Sequence, residues 1–222
     1  MSQIRLWGVI VFLCISVVTA RGAVARSEAP EVTHDGLHLL KHTKLRQVYM
    51  KPGASLAAYD KVVLLDCFVA FKKDWQRDRD FSSRVSAHEM DRIKKDLAAE
   101  FHKTFVKELE AKGTYEVVEK GGTDVLLVRP AIVNLVIEAP ENMEDPTMTT
   151  FSASAGQMTL YVELYDSVTS DILVRAIDPE AGDDGGFATM QNSVTNTAEA
   201  RQIMKKWAKT LRNAMDEARQ GH

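Results

Sequence analysis

Two runs of alternating apolar and polar residues lie within residues 156–178 and form the clearest strand pattern in the chain. Successive side chains of a strand point to opposite faces, so each run is typical of a half-buried strand. The polar link 166–170 separates the runs, and its Asp, Ser and Thr residues favour a turn. The stretch therefore predicts an antiparallel hairpin at the middle or the edge of a sheet.

Three further apolar segments indicate strands. Residues 61–71 are almost continuously apolar, as in a strand that is covered on both faces. Asp66 interrupts this run, and because an unpaired buried charge is costly we interpret it as hydrogen-bonded or at the sheet rim. Residues 115–119 and 124–139 form two more strands around a Gly-Gly turn. Pro130 has no N–H for a ladder and predicts a bulge or an edge position.

Two helices follow from apolar residues that recur every three or four positions. The first begins at a capping box formed by Ser86 and Glu89, and it stops at Gly113. The second runs from about residue 197 to 218, after a cap at Asn196. The apolar stripes are Met90, Ile93, Leu97, Phe101, Phe105 and Leu109 in the first helix, and Ala200, Ile203, Met204, Trp207, Leu211, Ala214, Met215 and Ala218 in the second.

The resulting element order is β-α-β-β-β-β-α. Because strands and helices are partly segregated, this order predicts an α+β two-layer sandwich. We expect a mostly antiparallel sheet of about five strands covered by two long helices. Residues 47–222 would form this single domain, and residues 26–46 a flexible segment before it.

The N-terminus has the pattern of an export signal. Arg5 precedes an uncharged apolar run at residues 6–18. A secretory core spans about 7–15 residues and a membrane span needs about 20, so the run fits a signal peptide better. Small residues favour cleavage after Ala25, with a weaker site after Ala20. We interpret residues 1–25 as a cleaved signal peptide, with an uncleaved anchor as the alternative.

The two cysteines give little support for lipidation or for disulfides. Cys14 follows Leu13, whereas a lipoprotein signal needs a small residue at that position. Cys67 lies in an apolar run and should pack as a small hydrophobe. A single cysteine after cleavage cannot form an internal disulfide framework.

Charge and composition exclude one class of partner. The net charge is −3, and a mildly acidic chain lacks the basic footprint by which proteins bind nucleic acid. Basic residues surround Trp75 and Phe81 within residues 72–85, but acids dilute them. We interpret residues 72–85 as a solvated loop.

No group of residues predicts a metal site. His34, His38 and His42 would share a helix face, but Gly36 weakens a helix and no cysteine or well-placed carboxylate completes a zinc site.

Four acids also occur close together, and calcium binding outside the cytoplasm is one alternative for them. Because their spacing matches no EF-hand loop, we interpret them as a solvated turn. They are Asp178, Glu180, Asp183 and Asp184. Nucleophile elbows, HExxH, Walker loops and CxxC pairs are absent from the sequence. We therefore predict no catalytic, cofactor-binding or metal-binding residue.

Four pieces of the chain together resemble a known family. They are the Asp-Gly-Leu at 35–37, VYMKPGASLAAYDKVVL at 48–64, Phe71 with Trp75, and the hairpin stretch 156–178. In this order they resemble the DUF3313 family of exported bacterial envelope proteins, often lipoproteins. The resemblance implies an exported protein and brings no catalytic residues.

The chain departs from the family pattern at two points. A convincing lipoprotein cysteine is missing, and Ser170 stands where the hairpin turn often has Gly, which predicts a different turn geometry. The element order is also similar to that of small α+β modules in envelope lipoproteins, some of which assemble into secretion rings. This similarity is a fold-level analogy.

We interpret the chain as a non-enzymatic interaction module of the periplasm or the outer-membrane periphery that binds another envelope protein. The predicted partner surfaces are the long link 140–155 and the loop 72–85. A ring-forming subunit of an envelope or secretion assembly is one alternative, and an uncharacterised hydrolase with a site around Asp66 and His88 is another. The partner, the physiological process and the oligomeric state stay open at this point.

Overall fold

The computed structural model describes residues 29–77, 84–138, 154–181 and 193–220. These residues form eight strands and two long helices, with a short 3₁₀ turn after the first helix. The strands are β1 (His38–Leu39), β2 (Gln47–Met50), β3 (Lys61–Leu64), β4 (Phe68–Phe71), β5 (Glu116–Val117), β6 (Val125–Glu138), β7 (Ser154–Asp166) and β8 (Ile172–Ala181), and the helices are α1 (Ala87–Leu109) and α2 (Ser193–Arg219).

The described strands form one mixed sheet in the order β1-β2-β8-β7-β6-β3-β5, with β4 also paired to β6. The α+β class is confirmed. The expected sheet of about five mostly antiparallel strands is wrong, because the sheet has eight strands and the β3–β6, β4–β6 and β3–β5 ladders are parallel. Parallel neighbours need a long crossover, and α1 supplies it between β4 and β6.

The predicted hairpin is confirmed as β7 and β8, which pair antiparallel over most of their length. Their core-facing residues pack under the helices, while Glu163 and Arg175 pair on the opposite face. In the turn, the Asp166 carboxylate accepts hydrogen bonds from the N–H groups of Val168 and Thr169 at 2.9 and 2.8 Å. Ser170 adopts a φ of 60°, so the turn keeps the left-handed geometry that Gly favours.

The apolar run 61–71 forms two strands instead of the single predicted one. β3 and β4 pair one after the other with β6. The strand is interrupted between them around Asp66, whose side chain is exposed at the rim of the sheet. The N–H of Leu65 donates to the Val128 carbonyl. The backbone N–H and C=O of every second residue of β6, counted from Val128, therefore face this interruption. Pro130 lies two residues after Val128 in β6 and has no N–H. At this position β6 therefore offers no hydrogen-bond donor toward the interruption between β3 and β4.

Pro130 itself is not at the bulge. The register with β7 shifts beyond Val133, and Asn134 takes a φ of 55° there. An extra residue in one strand bends it and increases its twist. The bulge therefore changes the direction of β6 where β4 lies beside it.

The helices cover one face of the sheet, as the two apolar stripes predict. In α1 the stripe residues from Ile93 to Leu109 are buried, and Phe101 stacks on Phe105 with ring centroids 3.9 Å apart. Ser86 caps the helix by accepting from the Glu89 N–H at 3.1 Å. The Glu89 carboxylate pairs with Arg92.

The second helix differs from its prediction at its start and at one stripe position. α2 begins at Ser193, ahead of the expected residue 197, and the cap assigned to Asn196 therefore lies inside the helix. Trp207 and Met204 are fully buried as expected, whereas Ala214 is exposed. Among the described residues, neither helix is sufficiently long and apolar to cross a membrane.

Residues 29–46 pack on the sheet, although the sequence assigned residues 26–46 to a flexible segment. Leu37 is buried, and the Asp35 carboxylate binds the Arg175 guanidinium at 2.7 and 3.0 Å. The Arg46 N–H donates to the Asp178 carboxylate at 2.8 Å. The expected signal peptide, residues 1–25, lies outside the described residues.

Candidate functional site

A groove of about 590 Å³ opens at the sheet edge between β4 and α1. Its size falls in the range of about 300–1,000 Å³ that is usual for ligand sites. The four residues of β4 and the preceding Cys67 form one side of the groove. Four residues of α1 form the other side, namely Met90, Lys94, Lys95 and Ala98.

The strand side of the groove is a free sheet edge. Within the described residues, β4 pairs with β6 and with no other strand. The Lys72 N–H donates to the Leu135 carbonyl at 2.9 Å, so the backbone N–H and C=O of Lys72 face β6. Because these groups alternate in direction along a strand, the N–H and C=O of Val69 and Phe71 face away from β6.

Phe68 makes this edge unusual. Its side chain is 64% exposed, and its pairing with Ala131 places it on the sheet face opposite the helices. Natural edge strands are protected from unwanted pairing by short length, charge, proline or bulges. β4 is short, but a large exposed aromatic ring on it favours association with another molecule.

The floor of the groove is apolar and rests on the core. Phe71 stacks on Trp75 with ring centroids 5.1 Å apart and planes 11° apart. Met90 and Ala98 are partly buried against the core, and they lie on one line along α1 because of their spacing. Burial raises the pKa of the Cys67 thiol to about 12, so this cysteine is a packing residue.

The helix side of the groove is basic. Lys94 binds Asp91 at 3.3 Å, one turn back along α1. Lys95 is exposed and has no ion pair within the described part of the chain. Lys72 and Lys73 follow β4 directly and are also exposed. The groove is therefore an apolar cleft with a positively charged rim.

The side chains of the groove determine which contacts it can offer. The described lining residues include no carboxylate, histidine or hydroxyl side chain. The Cys67 thiol, with its raised pKa, is protonated at neutral pH. Among the described residues, no group of three or more His, Cys, Asp or Glu could hold a metal ion. The groove can offer apolar contacts, backbone hydrogen bonds and positive charge.

The structure does not bring the residues of the hydrolase alternative into a site. Asp66 and His88 are both exposed, and within the described residues no hydrogen bond joins them. The three histidines of the zinc alternative share no helix, since His38 is in β1 and His42 has a φ of 61°.

The acidic group was expected to be a solvated turn, and for two of its members this is wrong. Asp178 and Glu180 belong to β8. Asp178 is buried and accepts from the Trp207 indole N–H at 2.9 Å, while Glu180 pairs with Lys206 on α2. Asp183 and Asp184 lie outside the described residues.

A second polar network, on the helix-free face, was not found from the sequence. Glu163 is buried there and accepts from Tyr161 at 3.0 Å, Tyr165 at 2.6 Å and Arg175 at 2.9 Å. Burial raises its pKa, but these hydrogen bonds outweigh burial and keep the pKa below its ordinary value. The Arg175 hydrogen bond likewise lowers the pKa of Asp35.

This network fastens residues 29–46 to the sheet. Every acceptor in it has a donor, and Arg175 bridges the Asp35 and Glu163 carboxylates. A satisfied network of this kind contributes rigidity. The hairpin register, which places Glu163 opposite Arg175, is the signal from which the pair could have been predicted.

The partner surfaces expected from the sequence are only partly described. Residues 72–77 follow β4 and residues 84–85 precede α1 in the chain, and a partner surface at the loop 72–85 stays a prediction. Residues 78–83 and residues 139–153, which include most of the predicted link 140–155, lie outside the described residues.

Comparison with known proteins gives a family match and distant structural likenesses. The family model for the protein of unknown function DUF3313 matches residues 39–211. The search of curated proteins finds no match.

Two solved structures show the extent of the structural likeness. The PelC dodecamer from Paraburkholderia phytofirmans is 12% identical with a TM-score of 0.38, and the match covers 73% of this chain and 96% of that chain. Protein XCC0632 from Xanthomonas campestris, of family DUF330, is 7% identical with a TM-score of 0.40, and the match covers 77% and 94%. These likenesses are too distant to transfer a function.

Proposed function

The chain belongs to the DUF3313 family of proteins of unknown function, and we propose that it is an exported, non-enzymatic interaction module of the bacterial envelope. In this proposal it binds another protein along the free edge of β4. The observation that carries the proposal is the exposed Phe68 beside an apolar groove, on a strand edge that pairs with no other strand among the described residues.

The chemistry of the described side chains supports a binding role. The two buried carboxylates on the sheet, Glu163 and Asp178, are engaged by tyrosine, arginine, tryptophan or backbone donors. Neither opens into the groove at β4. An enzyme needs an acid, base or nucleophile next to a place for substrate.

The compartment in the proposal rests on sequence. The apolar run 6–18 after Arg5 has the length of a secretory core, and the family resemblance points the same way. We place the mature chain in the periplasm or at the outer-membrane periphery. In the alternative, a ring-forming subunit, the same edge would join copies of this chain.

Site-specific photo-crosslinking in living cells tests the proposal. A photoreactive residue replaces Phe68 in one variant and Val168 in a matched control. Both side chains are exposed apolar residues, at 64% and 60%, but Val168 lies in the β7–β8 turn. We expect a crosslinked product at Phe68 that is absent at Val168, in the periplasmic or envelope fraction.

The products distinguish the possibilities. An adduct with a different envelope protein supports the interaction module. An adduct of twice the chain mass supports the alternative of contacts between copies. Equal products at Phe68 and Val168, or a protein that stays in the cytoplasm, would refute the proposal.

A further inference from the structure

We infer that the groove at β4 binds an extended peptide segment in which apolar residues alternate with carboxylates, and that this segment pairs with β4 as an added strand. The inference rests on the proposed function and specifies the chemistry of its partner. It depends on three features of the groove, namely its free backbone groups, the exposed Phe68 and its basic rim.

The backbone groups define the geometry of binding. The outward N–H and C=O of Val69 and Phe71 are about two residues apart and face away from β6. An extended peptide presents its own polar groups at the same repeat. Strand addition to a sheet edge is a common way to recognise such peptides, with the main chain providing affinity.

The side chains on each face define the sequence pattern. A strand added beside β4 would point alternate residues toward α1, where Lys94 and Lys95 line the groove together with Met90 and Ala98. The other residues would point to the helix-free face beside Phe68, which pairs with Ala131. Carboxylates therefore fit the positions that face α1, and apolar residues fit the positions beside Phe68.

The rim defines the charge. Lys94 and Lys95 line the groove, and Lys72 and Lys73 stand at the end of β4. The described lining residues include no acid, and the exposed Asp66 and Asp74 lie outside the lining, before β4 and after Lys73. Asp91 offsets part of the charge of Lys94, but Lys95 has no described ion pair. Complementary carboxylates would increase the association rate and select this partner over basic ones.

Charge also disfavours a second copy of this chain in the groove. Two copies paired edge to edge through β4 would form a continuous sheet with both α1 helices on the same side. Lys94 and Lys95 of one copy would then face the same lysines of the other copy. Like charges across an interface are unfavourable.

The test uses two short labelled peptides and fluorescence anisotropy at low salt. One alternates valine with glutamate, and its twin carries lysine in place of glutamate. We expect the acidic peptide to bind about tenfold more tightly, because about three surface charge pairs each contribute a factor of about two. The difference should shrink as salt is added.

A charge reversal tests whether the rim selects the peptide. In the double variant Lys94→Glu and Lys95→Glu, the preference should reverse in favour of the basic peptide. Lys95→Glu alone, which leaves the Lys94–Asp91 pair intact, should reduce the preference and serves if the double variant does not fold. Unchanged preference in the folded variants would overturn the charge assignment.

Amide exchange measured by NMR tests the strand pairing. The acidic peptide should slow exchange at Val69 and Phe71 and leave Val168, in the turn, unchanged. Binding without protection at β4 would overturn strand addition, and equal affinity for the two peptides would overturn the partner chemistry. Sedimentation that shows a peptide-sensitive dimer would identify a second copy as the occupant and would overturn the inference as well.

These outcomes are separable from those of the proposed function. If Phe68 crosslinks to another envelope protein but the acidic peptide does not bind, the binding role stands and the peptide chemistry is wrong. If the peptide binds but no crosslink forms in cells, the groove chemistry stands and the envelope role is wrong.

Discussion

The buried carboxylate of Asp178 should be among the largest single contributors to stability. It is 5% exposed and accepts from the Trp207 indole N–H at 2.9 Å and from the Arg46 N–H at 2.8 Å. Asp178→Ala leaves both donors without this acceptor. The pair of bonds joins α2 and the residues before β2 to the end of β8, so its loss should loosen three parts of the fold together.

The magnitude follows from the burial of the two donors. Trp207 is fully buried, and leaving a buried donor unpaired costs about 1–3 kcal/mol. Arg46 is exposed and its N–H can regain water, so its share is nearer about 1 kcal/mol. Removing a buried charge offsets part of this loss. We expect Asp178→Ala to lower the free energy of unfolding by about 3 kcal/mol, against a total of about 5–15 for most domains.

Urea unfolding, followed by tryptophan fluorescence, measures this change. Asp178→Asn keeps one acceptor oxygen and should cost about 1–2 kcal/mol. The matched control is Asp171→Ala, which breaks an exposed pair with Lys51 and should cost about 1 kcal/mol or less. The loss caused by Asp178→Ala should shrink in a Trp207→Phe background. A loss below about 0.5 kcal/mol, the range of ordinary surface changes, would refute the reasoning.

Three further predictions test other parts of the structure. Ser170→Gly should raise the free energy of unfolding by about 0.5–1 kcal/mol, measured in urea. The left-handed conformation costs a non-glycine residue about 1–2 kcal/mol, and the greater entropy of Gly in the unfolded chain offsets part of the gain. Thr169→Gly, in the same turn, should lower the free energy of unfolding. The folded-state pKa of Glu163 is lowered, so its stabilisation is present above the ordinary pKa of 4.5 and is lost as the pH falls through the lowered value. Glu163→Gln should therefore flatten the rise of stability with pH in the acid range, and an unchanged slope in acid unfolding would contradict this. The buried Cys67 thiol should react with maleimide at neutral pH only as fast as the fold opens locally, and rapid labelling without urea would contradict this.

Local patterns predicted the long elements well. The alternation in residues 156–178 and the stripes of the two helices depend on neighbours within one element, and β7, β8 and α1 appear close to where these patterns place them. The capping role of Ser86 is equally local. The helix ends at Leu109, ahead of the predicted stop, and Gly113, with a φ of 64°, ends the 3₁₀ turn that follows it.

Non-local pairing explains what the sequence did not show. β1 has only two residues, which is too short for any alternation to be visible. The division of residues 61–71 into β3 and β4 depends on the gap that Pro130 leaves in β6, more than sixty residues away. The free edge of β4, and with it the candidate site, follows from this division and was therefore not predictable from the run itself.

Substitution of Phe68 tests whether this residue stabilises the fold or serves binding at the edge of β4. Complete burial of a Phe side chain stabilises by about 1.5–3 kcal/mol, and Phe68 is 64% exposed, so Phe68→Thr should cost less than about 1 kcal/mol. The neighbouring Val69→Thr is the matched control, because it keeps the strand propensity but places a hydroxyl in the core and should cost about 1–3 kcal/mol. Phe68→Thr should at the same time weaken binding of the acidic peptide, because Phe68 borders the added strand. A loss of stability equal to that of Val69→Thr would mean that Phe68 is retained for packing, and the edge of β4 would then have no special claim as a binding surface.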